Sequence, residues 1–63
     1  METMRAVAHS IERDDRIQHA WHGDGTVASV WRNQRSKVVA LVNWDNGNVS
    51  SIVLSGNDNV VRL

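Results

Sequence analysis

The chain has 63 residues, enough for one small domain. Its seven basic and seven acidic side chains cancel, so net charge gives no argument for nucleic-acid binding. The absence of cysteine excludes disulfides and thiolate zinc sites, and the apolar runs are far shorter than the ~20 residues that span a bilayer. The composition therefore predicts a cytoplasmic protein with no membrane partner. Its valine-rich apolar fraction, 41% of the chain, favours a compact β domain over disorder.

Residues 1–13 are predicted to form a short helix or an arm that precedes a barrel at residues 14–63. Met4, Ala6, Val7 and Ile11 are spaced as on one face of a helix. Because a helix this short is marginal alone, we expect it to dock on the barrel or on a second copy, which would make a homo-oligomer. A frayed terminus is the alternative.

Alternating or β-branched segments predict five short strands in the rest of the chain. In the first strand Ile17 should point inward, and in the second the odd spacing of Val27 and Val30 requires a bulge or strong twist if both are buried. The third strand has apolar residues on both faces, as in a strand coiled across a small barrel. The predicted strands cover residues 16–20, 26–32, 38–44, 49–54 and 60–63.

Two glycine-containing turns organise these strands. The stretch His22–Val27 reads His-Gly-Asp-Gly-Thr-Val, and Gly23 and Gly25 predict a reversal at positive φ that would present Trp21 and Trp31 side by side. Asn46 and Gly47 give the strongest hairpin signal in the chain. The fold class that follows is all-β: a small five-stranded SH3-like barrel.

The run from Arg16 to Val27, the Val-Asn-Trp-Asp-Asn-Gly run at 42–47 and the final Val-Val-Arg-Leu resemble the C-terminal Tudor-like domain of UvrD/PcrA-type DNA helicases. The resemblance covers about residues 15–63. Its glycine turn is moderately specific, because it recurs in KOW and CarD-like small barrels. The resemblance implies a Tudor-like barrel that acts as a docking module for RNA polymerase, with duplex DNA as a further contact and no catalysis of its own.

The chain departs from that family in two respects. It carries no helicase motor, and His22 stands where the family usually has an aromatic residue. A free-standing copy that begins at Met1 implies a small accessory protein of phage or mobile-element origin, which imitates or occupies such a docking site.

Two sets of residues are candidates for binding. A protein partner would use large apolar groups and arginine, the types enriched at interface hot spots: Trp21, His22, Trp31 and Arg32. Nucleic acid, the alternative, would meet cations and one aromatic around the hairpin between the second and third strands: Arg16, Trp31, Arg32, Arg35 and Lys37. Trp44 is expected in the core.

Other chemistries are disfavoured by the sequence. The histidines, His9, His19 and His22, lack the spacing of a zinc site, and no cofactor motif is present. Residues 23–25 lead into a strand, whereas phosphate loops lead into a helix. Asp45 and Asp58 are interpreted as turn formers whose carboxylates bond nearby amides. We therefore expect no enzyme, no metal and no cofactor: a protein-docking module first, a DNA- or RNA-binding barrel second, and a structural homo-oligomer third.

Overall fold

The computed structural model describes residues 11–63, which form one five-stranded antiparallel sheet. The strands follow the order β4-β3-β2-β1-β5, so the first strand pairs with both the second and the last. They are β1 (Arg16–His19), β2 (Gly23–Arg32), β3 (Val38–Trp44), β4 (Val49–Val53) and β5 (Val60–Arg62). The predicted fold class is confirmed as a small, barrel-like all-β fold. The predicted N-terminal helix lies mostly outside the described residues, and residues 11–13 of that segment are not helical.

The core lies on the inner side of this sheet. Ile17 is fully buried, as its alternation with polar neighbours predicts. Ile11 is also buried in the core, although the predicted barrel begins only at residue 14. The other members of the core are contributed by β2, β3, β5 and the segment after β4: Val27, Ala40, Val42, Trp44, Leu54 and Val60.

The predicted irregularity of β2 is present. Val27 pairs with Val42 and Ser29 with Leu41, so one extra residue of β2 is accommodated between the two pairs as a bulge. The bulge lets Val27 be fully buried while Val30 packs against the same core from a partly buried position. β2 begins at Gly23, three residues earlier than predicted.

The two glycines at the start of β2 have different roles, which corrects the prediction that both form the turn. Gly23 has a φ of +82° and open space around the position of a Cβ. Gly25 lies inside β2 and is absent from the positive-φ glycines. A Cβ on Gly25 would lie 2.7 Å from Trp44 Cε3 and 2.7 Å from Val42 Cγ1. Gly25 is therefore required by close packing against β3 and not by its φ.

The hairpins β2–β3 and β3–β4 close in the same way. In the first, the Asn33 N–H donates to the Lys37 carbonyl (2.9 Å) and the Ser36 N–H donates to the Asn33 carbonyl (3.0 Å). Ser36 occupies the left-handed region with a φ of +63°. This is a three-residue loop whose last residue is left-handed, a conformation in which glycine is usual.

In β3–β4 the left-handed residue is Gly47, with a φ of +97°. The Trp44 N–H donates to the Asn48 carbonyl (2.8 Å) and the Gly47 N–H to the Trp44 carbonyl (2.9 Å). Asn46 is absent from the positive-φ residues, and its Oδ1 instead accepts the Asn48 N–H at 3.0 Å. Asn46 therefore supports the turn through its side chain.

Candidate functional site

Four ring side chains meet where β1 turns into β2, and we call them the aromatic turn: His19, Trp21, His22 and Trp44. His19 is buried at the end of β1, and its Nδ1 accepts the backbone N–H of Trp21 (3.3 Å) and of His22 (3.4 Å). One imidazole nitrogen therefore holds two consecutive backbone N–H groups of the turn. This requires the unprotonated form at Nδ1, because a protonated nitrogen cannot accept.

Trp44 forms the base of the aromatic turn. Its ring is buried, and its indole N–H donates to Ser50 Oγ on β4 at 2.9 Å. The His22 ring stacks on it with a centroid separation of 4.7 Å and an interplanar angle of 20°. The sequence predicted His22 as a turn residue and as a member of the partner-binding set. Its stacking on Trp44 was not predicted, because the two residues are 22 positions apart and leave no local signal.

Trp21 is the exposed member of the aromatic turn. Its side chain is 71% exposed, while its ring contacts His19 edge-on with centroids 4.8 Å apart. The backbone N–H of Trp21 is held by His19 as described above. Trp21 is therefore a large apolar surface group on a fixed base.

The protonation of His19 is set by its surroundings. Burial lowers the pKa of His19 below its usual value, and the charge of His22 lowers it further. The neutral imidazole that results can accept the two N–H groups of the turn. Both effects act in the direction that the hydrogen bonds require.

An open cleft of about 470 Å³ lies beside the aromatic turn. Its walls come from β1, from the start of β2 and from the β4–β5 connection and β5, and include Gln18, His19, Gly23, Asp58 and Val61. Asp58 is exposed there. The sequence predicted that its carboxylate accepts a nearby backbone N–H, but the neighbouring Asn57 makes this kind of bond: its Oδ1 accepts the Asn59 N–H at 2.8 Å. The cleft thus offers a carboxylate and an amide beside His19, whose ring Trp21 contacts.

The opposite end of β2 carries three cations, which we call the basic hairpin: Arg32, Arg35 and Lys37. All three are exposed. Asn33 fixes the loop that carries them, since its Oδ1 accepts the N–H of Arg35 (2.9 Å) and of Lys37 (3.0 Å). Arg32 Nη1 donates to the Ser36 carbonyl at 2.8 Å, which restrains its guanidinium over the loop.

The basic hairpin differs in charge pairing from the rest of the described chain. Within residues 11–63 the ion pairs are Arg13 with Asp14, Arg16 with Asp45 and Arg62 with Asp15. None involves Arg32, Arg35 or Lys37, and the sequence has no acidic residue from 25 to 44. The neutral chain therefore carries a local charge of about three positive units at this hairpin.

Arg16, predicted to lie beside these cations, is placed elsewhere. It pairs across the sheet with Thr26, and its guanidinium donates to both carboxylate oxygens of Asp45, at 2.8 and 2.7 Å. These bonds lower the pKa of Asp45. Asp45 was predicted to bond backbone amides of its own turn; it instead ties the β3–β4 hairpin to β1, and Arg16 is not part of the basic hairpin.

The predicted neighbourhood of Trp21 and Trp31 is wrong. Trp21 precedes the first residue of β2, whereas Trp31 is the ninth of its ten residues, so the two rings lie at opposite ends of the strand. Trp31 pairs with Val39 and is 43% exposed. Because side chains alternate along a strand, Arg32 points to the other face. The four predicted partner-binding residues therefore do not form one patch.

Residues 11–63 contain no group of three or more His, Cys, Asp or Glu side chains that could hold a metal ion, and His9 lies outside them. The same residues include no helix that could span a bilayer. Comparisons of the chain with protein-family models, curated proteins and solved structures found no match.

Proposed function

We propose that this chain is a non-catalytic docking module that binds a protein partner through the aromatic turn. The observation that carries the proposal is the 71% exposure of Trp21 on a turn whose backbone is held by buried His19. Tryptophan is enriched among interface hot spots, and a group ordered before binding loses less entropy on binding. The cleft that His19 lines, next to its contact with Trp21, offers further polar groups to a partner.

RNA polymerase is the first candidate partner. This choice comes from the resemblance of residues 16–27 to the docking domains of UvrD/PcrA-type helicases, and the accessory role and the phage or mobile-element origin belong to the same proposal. The fold itself is compatible with many partners.

The test is binding of the full chain to purified bacterial RNA polymerase by biolayer interferometry. We expect Trp21→Ala to weaken binding about thirtyfold, since loss of a hot-spot tryptophan is worth on the order of 2 kcal/mol. Trp31→Ala is the matched control, because it removes the same side chain at the other end of β2. Absence of polymerase binding by the unmodified chain rejects this partner, and a larger loss with Trp31→Ala rejects the site.

A second candidate function, direct nucleic-acid binding, is favoured by a separate observation. The three cations of the basic hairpin lack acidic partners in the described chain, while every other arginine of residues 11–63 has one. Three phosphates contacting such a hairpin would release their counterions, and Trp31, on the adjoining strand end, could stack on a base.

This candidate is tested by fluorescence anisotropy with a single-stranded oligonucleotide at several salt concentrations. Three phosphate contacts predict a slope of log affinity against log salt of about −2. Arg35→Ala should weaken binding and reduce the slope by roughly 0.7. Arg13→Ala changes the net charge equally at an exposed, weakly paired arginine and serves as the control. Binding that is absent, or insensitive to salt, contradicts this function.

A further inference from the structure

β4 is an edge of the sheet. It pairs with β3 on one side, and no other described strand pairs with it. The Leu54 N–H donates to the Val38 carbonyl at 2.7 Å, which identifies this pair as hydrogen-bonded. Since hydrogen-bonded pairs alternate along an antiparallel ladder, the N–H and carbonyl groups of Val49, Ser51 and Val53 point away from β3.

This edge lacks the sequence features that usually prevent an edge strand from pairing with another chain. Natural edge strands carry charges, prolines or bulges, whereas β4 has none and pairs with β3 in an unbroken register. The chain has no charged residue from 46 to 57. Val49 and Val53 are 58% and 43% exposed. Among residues 11–63, one side-chain hydrogen bond reaches this edge: Asn57 Nδ2 donates to the Val53 carbonyl at 2.7 Å.

The outward-facing residues of β4 are self-complementary. Read in either direction they are Val-Ser-Val, so an antiparallel partner strand of the same sequence, centred on Ser51, places Val49 opposite Val53 and Ser51 opposite Ser51. Six backbone hydrogen bonds result, two from each of three such pairs. An interface that repeats itself under a two-fold rotation is the requirement for a symmetric dimer.

We propose that β4 pairs with β4 of a second copy and joins the two sheets into one continuous ten-stranded sheet. The valine pairs of the new ladder lie on the same face as Trp31, since Trp31, Val39 and Val53 are cross-strand neighbours. A second copy is favoured over an unrelated peptide because the chain's own strand matches this edge residue for residue, as Val-Ser-Val against Val-Ser-Val. The small core also gains from association.

Sedimentation velocity over a concentration series tests the proposal on the full chain. We expect a transition from one to two copies. Ser51→Pro should weaken the dimer roughly thirtyfold, since it removes two hydrogen bonds of about 1 kcal/mol each while leaving the β3 side of the strand intact. Ser51→Lys should weaken it about fivefold through the like charges placed opposite each other.

A charge-swap experiment fixes the register. Ser51→Lys and Ser51→Glu should each be weaker dimers alone, and mixing them should restore association through the opposite charges at the centre. Gln34→Lys adds the same charge at an exposed position of the other hairpin and should leave the dimer unchanged. A single-copy mass at every concentration, or a dimer indifferent to these Ser51 variants, overturns the proposal. Because Trp21 and the basic hairpin are outside β4, neither result bears on the proposed function.

Discussion

The two ends of β2 are constructed differently. At the aromatic turn, a buried histidine, a stacked histidine and a buried tryptophan tie residues of β1, the β1–β2 turn, β3 and β4 together. At the basic hairpin the hydrogen bonds involving Asn33, Arg32 and Ser36 remain within the loop, and the charged groups face solvent. One end is held by tertiary contacts and the other by local ones.

The side chains that stabilise the fold and the side chains that carry the local positive charge therefore lie at opposite ends of β2. Substitutions of the buried members of the aromatic turn, His19 and Trp44, should alter the stability of the whole sheet, whereas substitution of the exposed Trp21 should leave the fold nearly unchanged. Substitutions at the basic hairpin should alter its binding and leave the fold nearly unchanged. The two ends can therefore be perturbed independently.

The largest effect is expected at Gly25. Gly25→Ala places a Cβ against the rings and methyls of Trp44 and Val42, and overpacking of this kind costs about 3 kcal/mol. A chain of this size has only several kcal/mol in total, so cooperative unfolding should be lost or strongly shifted in circular dichroism. Gly23→Ala, which meets no neighbour but keeps a positive φ, should cost about 1 kcal/mol. Equal costs at the two positions would contradict the packing role of Gly25.

A pH effect near neutrality is expected next, at the aromatic turn. The pKa of His19 is lower in the folded chain than in the unfolded chain, so the unfolded chain binds more protons in acid. The stability contributed by neutral His19 is therefore complete above the ordinary histidine pKa, about 6.5. It is lost as the pH falls toward the lowered pKa of the folded chain. Lowering the pH from 7.5 to 5.5 should therefore decrease the midpoint temperature of thermal unfolding.

The matched variants for this effect are His19→Asn and His22→Asn. Asparagine at 19 keeps an acceptor near the position of Nδ1 and removes the titrating group, so the fall in midpoint should shrink. His22→Asn leaves His19 in place, and most of the fall should remain. A pH profile unchanged by His19→Asn would show that other groups dominate it.

The left-handed positions of the two hairpins provide a smaller, paired test. Gly47→Ser should destabilise the chain by about 1 kcal/mol, because it places a side chain at a φ of +97°. Ser36→Gly should change stability by less than about 0.5 kcal/mol, since relief of the left-handed conformation is offset by greater freedom of the unfolded chain. Chemical denaturation measures both, and a Gly47→Ser variant as stable as the parent would contradict the shared loop geometry.

The smallest change in stability is expected at the basic hairpin. Replacing Arg32, Arg35 and Lys37 together by Gln should change the free energy of unfolding by no more than about 0.5 kcal/mol. Urea denaturation of the triple variant beside the parent is the measurement. A substantially larger loss would show that these side chains have packing roles and would remove the contrast between the two ends.

Local patterns in the sequence were sufficient for most of the strands. β3 was predicted with its observed ends because a run of β-branched residues lies between two polar turns, and the bulge in β2 followed from the spacing of Val27 and Val30. The role of Gly25 was predicted wrongly because a glycine required for a positive φ and a glycine required for close packing look the same in a sequence. A glycine inside a strand pattern is a signal for close backbone approach that could have distinguished them.

The site was less predictable, because its contacts join residues distant in sequence. The stacking of His22 on Trp44 and the pairing of Arg16 with Asp45 depend on strand register, which periodicity does not specify. The separation of Trp21 from Trp31, by contrast, follows from the length of β2 once that strand is extended back to Gly23. Extending the strand by three residues was enough to divide the predicted surface in two.

The most direct test of the division between the two ends is a crossed measurement on two variants. Trp21→Ala and the triple Gln variant of the basic hairpin are each measured for binding to RNA polymerase and to a single-stranded oligonucleotide, with folding checked by circular dichroism. The account predicts that Trp21→Ala loses polymerase binding and retains oligonucleotide binding, and that the triple variant does the reverse. Equal loss of both activities in both folded variants would contradict it.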